Sequence, residues 1–533
     1  MQRTLYFGGS ILTMDKASPR AQALLVEDGK ILAVGNLDDL SALASDACRI
    51  DLHKKTLMPA FVDGHSHAIM LGSMLSKCDL SECTSFDEIL DAISDYRIKN
   101  GLTSGERINC YGYDLAVLRE GKHPTASVLD RLGVDNPIGC THASFHMGVY
   151  NTAAMRACGI DDSYTFTGSG VVGRDSEGHL NGYFEEGARR VMSEFMGRGQ
   201  SESFEKTYLS AEKLYLANGI TTVQEGGNVK EARLEAFKSL ADAGKLTADV
   251  VLYLEPRLRD PEFWCRALSV VGKDSYTDHL KIGGVKMVLD GSPQARTAYM
   301  SAPYVGECEY RGYPNLKDDI VYEVLARGTA AGLQVLAHCN GDAAAEQYVS
   351  AWERVVAEHP ERVGCRPIMI HAQTVRYDQL DRMAKTGMMP SFFVGHCYYW
   401  GDTHLKNFGP ERGSRISPLG AALSRGIPFS LHQDSPVTKP NMLHSVWCAV
   451  NRITRSGITV GAEERISVYD ALIAATSGGA YGYFEEQSKG ILKPDAIADL
   501  VILDKDPTAT DPMEIKNIRV CETVKAGKTV YKA

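Results

Sequence analysis

Residues 57–67 read LMPAFVDGHSH, an apolar run that breaks at Asp63-Gly64 and ends on two histidines one residue apart. Alternate residues of an extended chain point to the same side, so His65 and His67 can converge on one ion. Seven further runs share this texture: ITTVQE (220–225), ADVVLYLEP (248–256), GGVKMVLDG (283–291), LQVLAHCNGD (333–342), RPIMIHAQTV (366–375), GMMPSFFVGH (387–396) and IPFSLHQDSPV (427–437). Amphipathic stretches such as 317–331 (KDDIVYEVLARGTAA) and 376–386 lie between them. Near-continuous apolar strands alternating with helices imply a parallel sheet covered on both faces. Eight such units fit a closed α/β barrel of the (β/α)8 TIM type.

The spacing sets the organisation. About 150 residues separate the first run from the second, far too many for one crossover, so residues 78–205 are expected to form an inserted subdomain. Both ends of the chain read as short strands and turns. Glu27-Asp28-Gly29-Lys30 carries a hairpin signal, and Ala526-Gly527-Lys528 a second turn. Residues 1–57 and 488–533 are therefore expected to build one small β-sandwich domain together, with 58–487 as the barrel domain between them.

Barrel enzymes carry their chemistry at the C-terminal strand ends. Here those ends hold His65 and His67, then Lys286, His338, His371 and Asp434. Any one of them has an ordinary reading: a polar strand end, a hydrogen-bonded histidine, or an aspartate that forms a turn before proline. Ligand-type residues closing several different strands at equivalent positions point instead to a divalent metal site, with zinc a suitable ion. Lys286 stands apart, since an ammonium group cannot ligate a metal. Spacing alone favours pairing it with Asp290 or Glu255, whereas reaction with CO2 would turn it into a bridging carboxylate. His396 and Cys397 end the seventh run, and Tyr398, Tyr399 and Trp400 after them suit a substrate wall or the underside of a loop. Cys339 alternates away from the ligand face and reads as core.

The order MPAFVDGHSH, GGVKMVLDGSPQARTAYMSAPY, HCNGDAA, HAQ and a late DSPV resembles the amidohydrolase superfamily. More narrowly it is similar to the amidohydrolase-3 or YtcJ-like group, which includes N-substituted formamide deformylase. The resemblance extends over nearly the whole chain, including GITTVQEGG, HMGVYNTAAM, GYFEEGA and GILKPDAIADLVILDKDP. It implies that His65 and His67 hold a first metal, His338 and His371 a second, and a carbamylated Lys286 bridges them. Asp434 then touches the first metal and serves as general base. The same resemblance places His146, Asn151, Glu186 and Arg296 near the substrate, with His146 counted among the catalytic groups; His396 joins them as a substrate contact from its place at the end of the seventh run. Three positions depart from the group's habit: Ser144 and Ile370 stand where acids are common, and Gln433 precedes Asp434 where serine is common. These departures touch the substrate pocket and leave every ligand position filled.

The implied reaction is hydrolysis of a non-peptide carbon–nitrogen bond, such as an N-substituted formamide or N-acyl amine. A cyclic-amide hydrolase or heterocycle deaminase is the alternative, although 338–342 lacks the glutamate that deaminases place after the fifth strand. A catalytically silent binding protein would be expected to have lost a ligand. The remaining composition narrows the setting. Hydrophobic residues at 44% and charged residues at 23% describe a globular chain. A formal net charge of −10 argues against a nucleic-acid surface. The sequence shows no apolar run long enough for a membrane helix and no signal peptide at MQRTLYFGGSILTMD. Thirteen cysteines without a CxxC suit reduced thiols in a cytoplasm. A small-molecule substrate is expected, and a homo-oligomer is compatible with the sequence.

Overall fold

The computed structural model describes residues 3–115, 117–143, 147–167, 170–197, 203–258, 260 and 262–533, with the side chain of Asn228 also outside the description. The chain divides into two compact units, Met1–Ala68 with Glu212–Ala533, and Ile69–Ala211.

In the first unit, eight strands pair in parallel in chain order: Phe61–Val62, Ile220–Val229, Asp249–Leu254, Leu280–Val288, Gln334–Cys339, Ile368–His371, Met389–Phe392 and Ser430–Leu431. Each expected run contributes one strand, and the sheet curls into a TIM-like barrel. The seam between the first and last strands is closed by loop hydrogen bonds. Asp434 N donates to the His65 carbonyl at 3.2 Å, and His67 N donates to the Ser435 carbonyl at 2.8 Å. The strands are apolar because both faces are covered; every residue of Asp249–Leu254 is buried. Val251, Tyr253, Leu336, Ile368 and Ile370 share an interior cluster with Val62 and Tyr483.

Two boundaries differ from the sequence expectation. Leu57–Pro59 does not enter the barrel: Thr56–Pro59 pairs with the terminal strands, and the barrel begins at Phe61. The seventh strand stops at Phe392, and His396 opens a short helix, His396–Tyr399, rather than closing a strand.

Strands from both chain ends form one eight-stranded sheet. Its order is Lys528–Lys532, Val520–Lys525, Leu500–Leu503, Thr56–Pro59, Arg3–Leu12, Arg20–Glu27, Lys30–Gly35, with Cys48–Asp51 also pairing to Arg3–Leu12. The hairpin at Asp28-Gly29 has both central residues left-handed, φ +46° and +84°, which fits the strand twist and suits glycine at the second position. Alternation splits the apolar residues between the sheet faces. Tyr6, Leu24 and Val26 join one core with Leu57 and Leu500, and Leu5, Ala23 and Leu25 join another with Leu40.

At the N-terminal ends of the barrel strands lies a buried charge cluster. Asp249 Oδ2 accepts from Lys489 Nζ and Lys525 Nζ, each at 2.5 Å, and Asp249 Oδ1 lies 2.7 Å from His279 Nδ1. Lys525 also reaches Asp499 at 2.7 Å, Lys489 reaches Glu485 at 2.8 Å, and Lys281 pairs with Glu485.

The second unit is built on a six-stranded sheet, ordered Val172–Arg174, Leu180–Glu185, Met147–Tyr150, Ile138–His142, Ile108–Tyr113, Cys78–Asp79. The helix Phe86–Lys99, capped by Ser85 Oγ accepting from Glu88 N at 3.3 Å, packs Ile89 and Ile93 against Ile108 and Ile138. The helix Glu186–Gly197 packs Met192, Phe195 and Met196 with Tyr150 and Phe184 in a separate core.

Candidate metal centre

The strand ends deliver their polar side chains to one place. His65 and His67 follow the first barrel strand, and Asp434 follows the last. Their three donor atoms all lie within 4.8 Å of one another. Asp434 Oδ1 is 3.4 Å from His65 Nε2 and 3.5 Å from His67 Nε2, and Asp434 Oδ2 is 3.8 Å from His371 Nε2. The His371 ring stands edge-on to His338, centroids 4.6 Å apart, and 5.9 Å from His65. Lys286 Nζ lies 2.6 Å from His65 Nε2. Its expected partners are occupied elsewhere: Asp290 contacts His338, and Glu255 contacts Arg257 and Lys230. Lys286 therefore pairs with neither expected acid, and the carboxylates that act on it are Asp434 and Glu225.

Strict alternation would not place all of these groups. Ile368 and Ile370 both face the barrel interior, which would send His371 to the other side. His371 instead adopts a left-handed φ of +70°, and Asp434 one of +54°. Such conformations cost about 1–3 kcal/mol each in a non-glycine residue and persist only where the surroundings hold them. Gly226 shows how tight the cluster is: a Cβ there would stand 2.3 Å from His65 Cε1.

A second layer fixes the rings. Gln224 Oε1 sits 2.5 Å from His65 Nδ1, and Asp290 Oδ1 sits 3.0 Å from His338 Nδ1. Asp290 also accepts from the backbone N–H groups of Tyr299, Asn340 and Gly341 at 2.7–3.0 Å. His371 Nδ1 meets His432 Nε2 at 3.1 Å, and His432 Nδ1 meets Ser391 Oγ at 2.8 Å. With each Nδ1 donating outward, the Nε2 lone pairs of His65, His338 and His371 turn toward the mouth of the barrel. Asn340 Nδ2 approaches His338 Nε2 at 3.2 Å. Of these supporting residues, Gln224 and Ser391 carried no signal beyond their places on the strands. Asp290 and His432 were visible only as neighbours of the lysine and aspartate positions.

The electrostatics leave the cluster short of positive charge. Asp434 Oδ1 is buried, and no hydrogen-bond donor reaches it among the described residues. Burial raises the Asp434 carboxyl to about 6, against the lowering pull of Lys286, and burial lowers Lys286 to about 8. Burial also pushes His65, His67, His371, His396 and His432 well below the ordinary imidazole range, so these rings are neutral. Neutral imidazoles and a carboxylate whose oxygen lacks a donor form a set that a divalent cation completes.

His396 is buried beside this set, its ring 5.8 Å from His371 and 4.3 Å from Phe393, and its Nδ1 has no partner among the described residues. Trp400 packs on both His396 and Phe393, whereas Tyr398 turns to His444 and Trp447. Cys339 is core, as expected. Arg296 does not stand free for a substrate. Its guanidinium donates to Asn407 Oδ1 at 3.2 Å and pairs with Glu307 at 3.1 Å, tying two segments of the first unit together. Asn151 belongs to the second unit and braces it. Its Oδ1 accepts from Ala154 N and Ile138 N at 2.9 Å and its Nδ2 donates to the Asn136 carbonyl at 3.0 Å. Every polar atom of that side chain is engaged in a helix cap and a strand tie, so its expected substrate contact gives way. Glu186 opens a helix of the same unit with an exposed side chain and a φ of +49°. His146 and Ser144 lie outside the described residues.

A parallel barrel whose C-terminal mouth gathers imidazoles, a lysine and an under-donated aspartate defines a class, the metal-dependent hydrolases. The amidohydrolase family model matches residues 49–531, and the chain belongs to that family, whose enzymes hydrolyse carbon–nitrogen bonds with a divalent metal. The chain is 25% identical to YtcJ of Bacillus subtilis (strain 168), over 99% of each protein. It is 25% identical to the N-substituted formamide deformylase of Arthrobacter pascens, over 100% of this chain and 98% of that one. Among solved structures, an uncharacterized metal-dependent hydrolase from Pyrococcus furiosus aligns with a TM-score of 0.73 and 26% identity, over 95% of this chain and 100% of that one.

Proposed function

We propose that the protein hydrolyses the amide bond of a small non-peptide molecule, with an N-substituted formamide or N-acyl amine as the substrate class. The observation that carries this reading is the Asp434 carboxylate, whose buried Oδ1 has no donor among the described residues and faces His65 and His67, while Oδ2 faces His371. The deformylase of Arthrobacter pascens supports the substrate class through its likeness along the whole chain.

His65, His67 and Asp434 would hold one cation. His338 and His371 would hold a second, with zinc suited to both positions. Lys286 reconciles the two when it is carbamylated. Burial holds its pKa near 8, which leaves a nucleophilic amine fraction at neutral pH. That amine adds to CO2, releases a proton, and replaces a repelling ammonium with a bridging carboxylate. When bound, the cations supply Lewis acidity toward water and the substrate carbonyl. Asp434 takes the proton of the attacking water and delivers it to the leaving nitrogen. His396, neutral and with Nδ1 unpartnered, hydrogen-bonds the substrate, and Phe393 and Trp400 wall its apolar part. Thirteen free cysteines fit a reducing cytoplasm as the place of action, and among the described residues no helix is long and apolar enough to cross a membrane.

The test is elemental analysis of protein purified without chelator or nickel, followed by a panel of formamides, N-acyl amines, lactams and aminoheterocycles. Two metals per chain and turnover of an open-chain amide are the expected results. One metal per chain would remove the bridging carbamate. No metal after addition of zinc and bicarbonate would overturn the hydrolase assignment for this site.

A further inference from the structure

The inserted unit contains a cavity of about 700 Å3 whose lining carries three cations, Lys77, Arg107 and Arg189, and no carboxylate among the described residues. This volume lies in the range of small-molecule sites, roughly 300–1,000 Å3. The lining also has two chemical textures. Ile69, Met74, Leu102, Met196 and Phe204 supply apolar surface, while Tyr96, Tyr111, Tyr150, Thr141 and Ser193 supply hydroxyls.

The cations are not the ordinary solvated kind. Lys77 Nζ approaches the Met74 thioether, at 4.0 Å, and the Arg189 guanidinium is close enough to lower the lysine's pKa further below the value that burial already depresses. Arg189 lies beside the Tyr150 hydroxyl. Its neighbour in sequence, Arg190, points away and pairs with Glu194 at 2.8 Å. Arg107 lies over the Phe195 ring at 4.4 Å, a stacking that holds the planar fork in a fixed plane. Lys77 and Arg189 line the same cavity and repel each other across it, and an anion in the cavity relieves the repulsion.

We infer that this cavity is a binding site for a small organic anion, with the charged head at Lys77, Arg107 and Arg189 and an apolar or aromatic body against Met74, Leu102 and Phe204. Guanidinium and ammonium groups together suit a sulfonate, carboxylate or phosphate monoester. The site is independent of the amide hydrolysis proposed above, because all of its lining residues belong to the inserted unit.

Calorimetric titration of the metal-loaded full chain with benzenesulfonate tests the inference, since that head group carries charge but coordinates metals poorly. Saturation at one equivalent per chain with a Kd below about 1 mM is expected, weakened at least about tenfold in Lys77→Met and again in Arg189→Gln. Both variants relieve like-charge repulsion, so their thermal midpoints should equal or exceed that of the parent, and metal content should be unchanged. Phenylacetate and phenyl phosphate then distinguish carboxylate from phosphate recognition. Benzyl alcohol or benzylamine binding as well as benzenesulfonate would overturn the inference. So would benzenesulfonate binding that both substitutions leave intact, or no saturation of the parent protein.

Discussion

The two ends of the barrel treat buried charge in opposite ways. At the N-terminal floor, Asp249, Asp499 and Glu485 meet Lys489, Lys525 and Lys281 at close range, and each charge has a partner. There the neighbouring lysines hold the Asp249 and Glu485 carboxyls low against burial, and the same carboxylates raise Lys489, although burial still lowers Lys281 at the cluster's edge. At the C-terminal mouth, burial wins instead: Asp434 is raised and Lys286 is lowered. Both ends are dry, so desolvation is common to them. What differs is whether the chain itself supplies the counter-charge. The floor is complete as folded, and the mouth is complete only with something added from outside.

Substitutions that remove single charges sharpen this contrast. The largest expected effect is at the mouth: Asp434→Asn should lower amide turnover by about 10³-fold, in the range assigned to a positioned acid–base group, while His65 and His67 retain metal. Steady-state kinetics beside elemental analysis would show it, and near-parental turnover would remove the general-base role. At the floor, Asp249→Asn strands Lys489 and Lys525 and should destabilise the fold by about 3–5 kcal/mol, measured by urea unfolding. The parent should itself weaken in acid. Carboxyls whose folded pKa lies below the unfolded value stabilise above roughly pH 4 and lose that contribution as pH falls toward the folded pKa. Asp249→Asn should flatten this acid limb, and an unchanged limb would break the comparison.

Asp290→Asn should weaken metal binding by about 10–100-fold, because His338 loses the carboxylate that orients its ring, and should also lower stability, since an amide cannot accept from all the donors that Asp290 now receives. A competition titration with a chromophoric chelator measures this. The smallest effect has the opposite sign. In chelator-treated protein, Asp434→Asn should raise stability at pH 7.5 by about 1–3 kcal/mol, since an ionised carboxylate with a raised folded pKa opposes folding. Between roughly pH 4 and the folded value near 6 that gain should shrink, because the folded parent takes up the proton it prefers. A variant less stable than the parent at both pH values would show that the mouth is satisfied without metal.

The barrel was legible because its signals are local. Apolar runs ending in ligand-type residues recur along the chain, and the gap after His67 announces the insertion. The polar residues that gather at the mouth were legible for the same reason, standing at or just beyond the ends of the strands. The floor was not, because Asp249, Glu485, Lys489 and Lys525 come from distant stretches and none looks unusual where it stands. The second layer was hidden as well: Gln224 reads as one more polar strand residue until His65 is found against it. Asn151 failed in the other direction. Its neighbourhood resembles a family element, yet its carboxamide caps a helix and ties a strand, an arrangement that no spacing announces. His371 reached the mouth through a left-handed residue that strand alternation does not foresee.

The seam has one more consequence. The hydrogen bonds that join the first barrel strand to the last run through His65, His67 and Asp434. During synthesis the two histidines leave the ribosome early and wait for the aspartate until most of the chain has followed. A nascent or truncated chain ending before residue 434 therefore lacks the aspartate and the seam that holds the two histidines, and cannot acquire activity by degrees. Turnover by this chain, rather than metal uptake alone, then works as a certificate of completion, issued only when the ring has been fastened.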